Sequence, residues 1–395
     1  MKQLTSLIPM IFFSASLWAQ TTPHLNECLS HIDDHNPNDE VLSLRSCNIT
    51  DADIPFINQY IETKGLYNIF LEKNKITSKG AILLAQNNNI NYLHLSSNEI
   101  DDDGVIALAK NKHLKALTLD SNPVGDDGIR ALANDADLEV LSIGKGHFGE
   151  ESLSYLIQNS PIYFLGIYEV KLTHLIAQAL SENSRIDYLE LEGVEMAAED
   201  LKLISTMPKL RVFDLIRSPL GDEAAEAFAA NSSAIVLRFL SAPLTTKGYK
   251  SLATMNSLIG LAFGGYQRNG KPIENPITAE HIQLINRLPA LESLQVLEGV
   301  ITDDAIAEIA KSNTITELWL YGSHISDRGA ANIAVNTSIT WLVLEDNDIH
   351  NEGAFALSKN TTIEHLSIRK NPIGREGKLA LKNSTIKSVY VDEDE

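Results

Sequence analysis

Apolar residues recur along this chain in one fixed phase, and that phase predicts its elements. Read from its first apolar position, the register is L-x-x-L-x-L-x-x-N-x-I, followed by a stretch with helical spacing. Leu66, Ile69, Leu71, Asn74 and Ile76 fit it, then Ile90, Leu93, Leu95, Asn98 and Ile100, then Leu114, Leu117, Leu119, Asn122 and Val124. The first position continues at Leu138, Ile162, Ile186, Leu210, Ala234 and Leu258, each 24 residues after the last. Leu291 follows Leu258 by 33 residues, so that repeat carries an insertion; the register then resumes at Ile315, Ile339 and Ile363 and ends on Ile386-Val389-Val391. A degenerate opening copy is Leu42-Ser43-Leu44 with Cys47 and Ile49. The L-x-L core alternates with period two, which predicts a short strand with both leucines pointing inward. The stretch after it, as in Gly104–Ala109 and Gly128–Ala133, predicts a short helix whose alanines let neighbours lie close. Ser78, Asp102, Asp126 and Asp327 stand where a side chain caps a helix N-terminus. Asn87, Asn111, Asn159, Asn183, Asn231, Asn336 and Asn360 stand where a left-handed residue stops one. No single unit can bury its own apolar side, so stacked neighbours must share a core.

With these motifs the sequence resembles leucine-rich-repeat proteins of the ribonuclease-inhibitor-like class. Its G-A-x-x-L-A helices, as in Gly80-Ala81-Ile82-Leu83-Leu84-Ala85, are similar to the GALA repeats of exported bacterial effectors. The resemblance implies an α/β fold: a solenoid, or horseshoe, with a parallel concave β-sheet and short convex helices. Two departures stand out. The ladder Asn is replaced by Gly146, Val170, Val194, Ser218, Ala242, Gly299 and Ser323. Each loss removes a side-chain-to-backbone bond and predicts a less regular centre. GALA effectors also carry an F-box ahead of the repeats. Here only Gln20 to about Asp39 precede the first copy, so ubiquitin-ligase recruitment is not implied.

The chain ends refine the domain plan. Met1-Lys2, an apolar run from Leu4 to Leu17 and Ala19 read as a signal peptide over 1–19, too short to span a bilayer. Leu25, Cys28, Leu29 and Ile32 fall at helical spacing and predict an N-terminal helical cap over 20–38. Residues 39–391 are then a solenoid of about 14–15 repeats with an insertion near 264–276, and 392–395 an acidic tail. An exported chain meets oxidising conditions, so a disulfide between Cys28 and Cys47 is expected. The alternative is two buried thiols, since Cys often fills the ladder position in the resembled family.

Composition bears on function. The formal net charge of −20 repels phosphate backbones and anionic lipid, which argues against nucleic acid and favours a partner with a basic or aromatic-compatible surface. Past the leader no second long apolar run exists, so the mature chain is not expected to insert in a membrane. The chain has no H-E-x-x-H, C-x-x-C, G-x-S-x-G or phosphate-loop spacing, so no catalytic, metal or cofactor residues are assigned and a non-enzyme is expected. Asp101-Asp102-Asp103, Asp126-Asp127 and Asp303-Asp304 recur at one phase and read as helix caps rather than a calcium loop. Asn-x-Ser/Thr triplets at Asn48, Asn231, Asn336, Asn360 and Asn383 would accept glycans in a eukaryotic route, although four of them coincide with helix ends.

Strand residues flanking the inward leucines should line the concave face. They include Phe70, Tyr92 and His94, then Phe164, Tyr168, Tyr188, Glu190 and Glu192, then Trp319, Tyr321, Trp341, Glu345, His365, Arg369 and Tyr390. Asp214, Arg238, Ile216 and Leu240 form a mixed patch between the two later groups. Trp, Tyr and Arg are the types most enriched in binding hot spots. The expectation is an exported, secreted or periplasmic scaffold that captures a protein, with a secreted bacterial effector acting on host proteins as its narrowest form. The alternative is a glycan or cell-envelope binder using the same rings.

Overall fold

The computed structural model describes residues 25, 28–29, 40–230, 233–265 and 276–393. The leader, most of the N-terminal cap including Ile32, Asn231, the bulk of the insertion and the last two tail residues lie outside the described residues.

The chain divides into two compact units, residues 1–162 and 163–395. In the first, β1 (Val41–Ser43), α1 (Ile54–Lys64), β2 (Asn68–Phe70), α2 (Ser78–Leu84), β3 (Tyr92–His94), α3 (Asp102–Leu108), β4 (Ala116–Thr118), α4 (Asp126–Ala133), β5 (Val140–Gly144) and α5 (Glu150–Asn159) alternate strand with helix. The second begins β6 (Phe164–Tyr168), α6 (His174–Glu182), β7 (Tyr188–Glu192), α7 (Ala198–Ile204), β8 (Val212–Ile216), α8 (Gly221–Ala229), β9 (Val236–Leu240), α9 (Thr246–Leu252) and β10 (Gly260–Gly264). It continues α10 (Ala279–Ile285), β11 (Ser293–Leu297), α11 (Asp303–Ile309), β12 (Glu317–Tyr321), α12 (Asp327–Ile333), β13 (Trp341–Val343), α13 (Asn351–Leu357), β14 (His365–Ser367), α14 (Arg375–Lys382) and β15 (Ser388–Tyr390). Within each unit every strand pairs in parallel with the next in sequence. The register keeps the sequence period: Asn68 faces Tyr92, 24 residues on, and Gly260 faces Ser293 across the insertion. The inward leucines are buried, as Leu93, Leu95, Leu189, Leu191, Leu318 and Leu320 illustrate.

The ladder asparagines stitch one repeat to the one before. Asn98 Nδ2 donates to Leu71 O and Leu95 O, each at 2.9 Å, and its Oδ1 accepts Ile76 N–H at 3.0 Å. Asn74, Asn122, Asn347 and Asn371 repeat the pattern. In all five repeats the strand is three residues long, because the amide occupies carbonyls at the strand's end. Where the Asn is lost, β5–β9, β11 and β12 run five residues. This corrects the expectation of a less regular centre: backbone pairing extends where the side-chain ladder stops, so buried carbonyls stay satisfied.

Two capping expectations change. Asp102 does not cap its own helix; Asp101 does, accepting Asp103 N–H. Asp102 Oδ1 instead accepts Gly125 N–H at 2.6 Å and Gly128 N–H at 3.1 Å, at the start of the next repeat's helix. Asp51, Asp222 and Asp327 do the same one repeat ahead. Asp126 reaches Gly149 N–H and Ser152 Oγ. Ser78 donates to Asp101 of the next repeat. These carboxylates need no cation to explain them. They also account for the helix glycines, since a Cβ on Gly80, Gly128, Gly248 or Gly353 would lie 2.5–2.7 Å from the capping oxygen. At α6 and α9 the slot is reversed. His174 Nδ1 meets Asp200 Oδ1 at 2.8 Å and Thr246 Oγ1 meets His281 Nε2 at 3.0 Å, with the acid or ring now in the glycine position.

The described helix-end asparagines are not left-handed; Asn183, for one, has φ −72°. Asn336 and Asn360 are buried, and their amides bond backbone of their own and earlier repeats. Those two triplets are therefore committed to structure. Left-handed residues sit instead just before the ladder position: Lys73, Ser97, Ser121, Glu169, Arg217, Ser241, Glu298, Asp346 and Lys370 among them. Leu25 and Leu29 are buried, and Cys28 is joined to Cys47 by a disulfide with Cα atoms 6.1 Å apart.

Candidate functional site

Outward strand positions form rows across the sheet's open face, away from the leucines. Two groups in the second unit differ in how those rows are filled. On β6–β9 the central row runs Gly166, Glu190, Asp214, Arg238. Tyr168 Oη donates to Glu190 Oε1 at 2.9 Å. Tyr188 Oη donates to Asp214 Oδ2 at 2.7 Å and accepts Arg238 Nη1 at 2.8 Å, and Arg238 also reaches both Asp214 oxygens. Phe164 packs on Tyr188 with ring centroids 4.4 Å apart. Burial pushes the Asp214 and Glu190 carboxyls up, opposed in Asp214 by Tyr188 and Arg238 and in Glu190 by Tyr168. Burial and then the bond to Asp214 hold the Tyr188 phenol far above its usual value. Phe164, Tyr168, Tyr188 and Glu190 thus come together, with their polar tips turned on one another.

On β12–β15 the central row runs Trp319, Val343, Ser367, Tyr390. Two small residues stand between two large rings about three strand spacings, roughly 14 Å, apart. The row beside it runs Glu317, Trp341, His365, Ser388, with Trp341 tilted against His365 at 4.6 Å. Glu345 and Arg369 close the other side, 3.2 Å apart. The result is a basin of about 480 Å³ whose lining includes Leu297, Trp319, Tyr321, Trp341, Glu345, Arg369 and Tyr390 over a floor of Val343 and Ser367. His365 stands behind Trp341 and completes the predicted set. Trp341 is 42% exposed and Tyr390 52%. Trp319 Nε1 donates to Glu317. Glu345 Oε1 takes Ser367 Oγ and Arg369 Nε. Among the described residues Trp341 Nε1, Tyr390 Oη and Glu345 Oε2 have no partner. Val343 and Ser367 were not singled out from the sequence; the available signal was a pair of small outward residues flanked by aromatics in register.

In the first unit Phe70 and His94 stack at 4.1 Å with Arg45 4.2 Å over Phe70. Burial, then Arg45, pulls the His94 imidazole down to about 4. A hollow slightly larger than the basin, about 560 Å³, lies at the turns after β7–β9 among Val194, Met196, Pro219, Leu220 and Pro243. The basin is the better candidate, because its lining gathers Trp319, Tyr321, Trp341 and Tyr390, whereas no aromatic ring lines that hollow among the described residues. Among the described residues no group of three His, Cys, Asp or Glu could hold a metal ion.

One strand and one helix per 24-residue turn, a shared leucine core and an asparagine ladder define a class: the chain is a leucine-rich-repeat protein. The leucine-rich-repeat family profile matches residues 86–109, 110–133, 335–358 and 359–382, each containing one ladder asparagine. No curated protein sequence matches the chain significantly. Among solved structures it is similar to an internalin from Listeria monocytogenes, at 18% identity over 98% of this chain and 100% of that one, with a TM-score of 0.41. It is also similar to TLR13, solved in complex with ssRNA13, at 16% identity over 83% of this chain and 53% of that one, with a TM-score of 0.47.

Proposed function

We propose that this chain is an exported scaffold that captures a protein on the open face of its sheet, at the β12–β15 basin, and performs no catalysis. One observation carries the reading. The basin gathers two tryptophans and two tyrosines, and among the described residues Trp341 Nε1, Tyr390 Oη and Glu345 Oε2 have no partner there, whereas the β6–β9 rows consume their own polar atoms. Exposed Trp and Tyr beside Arg are the usual material of hot spots. The predicted leader and the Cys28–Cys47 bond support export, since such bonds persist in oxidising compartments. No described helix is long and apolar enough to cross a membrane. A secreted bacterial factor acting on host proteins is the narrowest form of the reading and rests on the G-A-x-x-L-A resemblance alone. A glycan is the second reading, favoured by the exposed Trp341 face.

The test compares proteins retained by the immobilised chain with those retained by its Trp319→Ala/Trp341→Ala variant, and runs both on a glycan array. Loss of a retained protein by a variant that melts normally supports the proposal. Equal recovery contradicts it, and glycan binding lost with the tryptophans favours the second reading.

A further inference from the structure

We infer that the β12–β15 basin recognises a cationic side chain, an arginine or lysine carried on a protein segment; this rests on the binding reading above and adds the chemistry of the occupant. The protein's own use of its open face supplies the first argument. Where aromatic rings on that face are served by the chain itself, the partner is repeatedly a cation. Arg45 lies 4.2 Å over Phe70, Arg238 5.9 Å from Tyr188 and Lys370 6.0 Å from Tyr321. Among the described residues no cation lies over Trp319, Trp341 or Tyr390, and tryptophan is the ring that attracts cations best.

The second argument is charge. Glu345 is the carboxylate in the basin wall, and its side chain is only 19% exposed. Its Oε1 takes Ser367 and Arg369, which leaves Oε2 as an acceptor for a donor from outside. Glu317, Glu298 and Asp346 lie beside lining residues, against Arg369 and Lys370 as the local cations. The whole chain carries −20, so a cation is drawn toward this face and an anionic ligand repelled.

The third argument is shape. Val343 and Ser367 keep the floor low between Trp319 and Tyr390. A flat guanidinium or a lysine stem can lie against a ring there while its head reaches Glu345. A sugar would also stack on the tryptophans and could donate a hydroxyl to Glu345, but being neutral it gains no charge attraction from the surplus of carboxylates.

The test titrates the purified chain with acetyl-Gly-Arg-Gly-amide, its citrulline counterpart and diacetylchitobiose by isothermal titration calorimetry. Citrulline keeps the shape and removes the charge. The expected result is saturable binding of the arginine peptide, weakened about fivefold or more by citrulline. Trp319→Ala/Trp341→Ala should abolish it, and Glu345→Gln should weaken it about three- to tenfold with an unchanged circular dichroism spectrum. Equal binding of the citrulline peptide, indifference to Glu345→Gln, no binding of the arginine peptide, or binding of the disaccharide alone would each overturn the inference. Protein capture that needs the tryptophans but ignores Glu345→Gln would sink the cationic occupant and leave the scaffold reading standing.

Discussion

The β6–β9 and β12–β15 stretches of the open face carry similar residues and use them in opposite ways. Both combine aromatics, acids and one arginine. On β6–β9 the row Glu190, Asp214, Arg238 puts a buried carboxylate next to the guanidinium, with Tyr188 bonded to both. On β12–β15 the corresponding row holds Val343 and Ser367, and the large residues stand around them. Residue type is therefore a poor guide to a binding surface. What matters is whether the polar tips find each other first.

The contrast is sharpest in stability. Arg238→Ala strands the buried Asp214 carboxylate and should cost about 3 kcal/mol in urea denaturation. Asn98→Ala, which leaves the buried Ile76 N–H unpartnered and removes one of the two amide bonds to Leu71 O, should cost about 1–3 kcal/mol. A central position that has already lost its asparagine, such as Val194→Ala, should cost only about 1 kcal/mol from burial. Gly353→Ala brings a Cβ to 2.7 Å from Asp327 Oδ1 and Ile349 Cγ2, and should lower stability by about 1–3 kcal/mol. Trp341→Ala removes a half-exposed ring and should stay within about 1 kcal/mol of the parent.

In the first unit the pH response centres on His94. The His94 imidazole titrates near 6.5 when unfolded and at about 4 when folded, because burial opposes its charge. Between those values the unfolded chain binds a proton that the folded chain refuses, so stability falls as pH drops from 6.5 toward 4. Asp126 adds loss at lower pH, because the Gly149 N–H and then Ser152 depress its folded carboxyl, and its contribution disappears as pH falls through that value. His94→Gln should flatten the decline between 6.5 and 4 in denaturant midpoints measured across pH; an unchanged slope would assign it elsewhere.

Much of this architecture is legible in the amino-acid order. Inward leucines at fixed phase specify strand, face and register, and the 33-residue step marks the insertion. Less visible is what depends on contacts between repeats. Asp102 looks like a cap for its own helix because local spacing allows it; only stacking shows that its target is Gly125 and Gly128. The left-handed residue before each ladder position leaves no compositional mark, since Lys73, Ser97, Glu169, Arg217 and Asp346 all adopt it. The predicted aromatics do line the open face. Their division into a spent set and an available one rests on side-chain hydrogen bonds, which periodicity cannot encode.

The most direct measurement sets one variant from each stretch in both assays, Tyr188→Phe and Trp319→Ala/Trp341→Ala, each scored for denaturation midpoint and for partner retention. The account predicts a crossover: Tyr188→Phe loses about 1–2 kcal/mol and keeps the partner, while the tryptophan pair keeps its midpoint to within about 1 kcal/mol per substitution and loses the partner. If Tyr188→Phe abolished retention without loosening the fold, or the tryptophan variant retained its partner, the assignment of the two stretches would be contradicted.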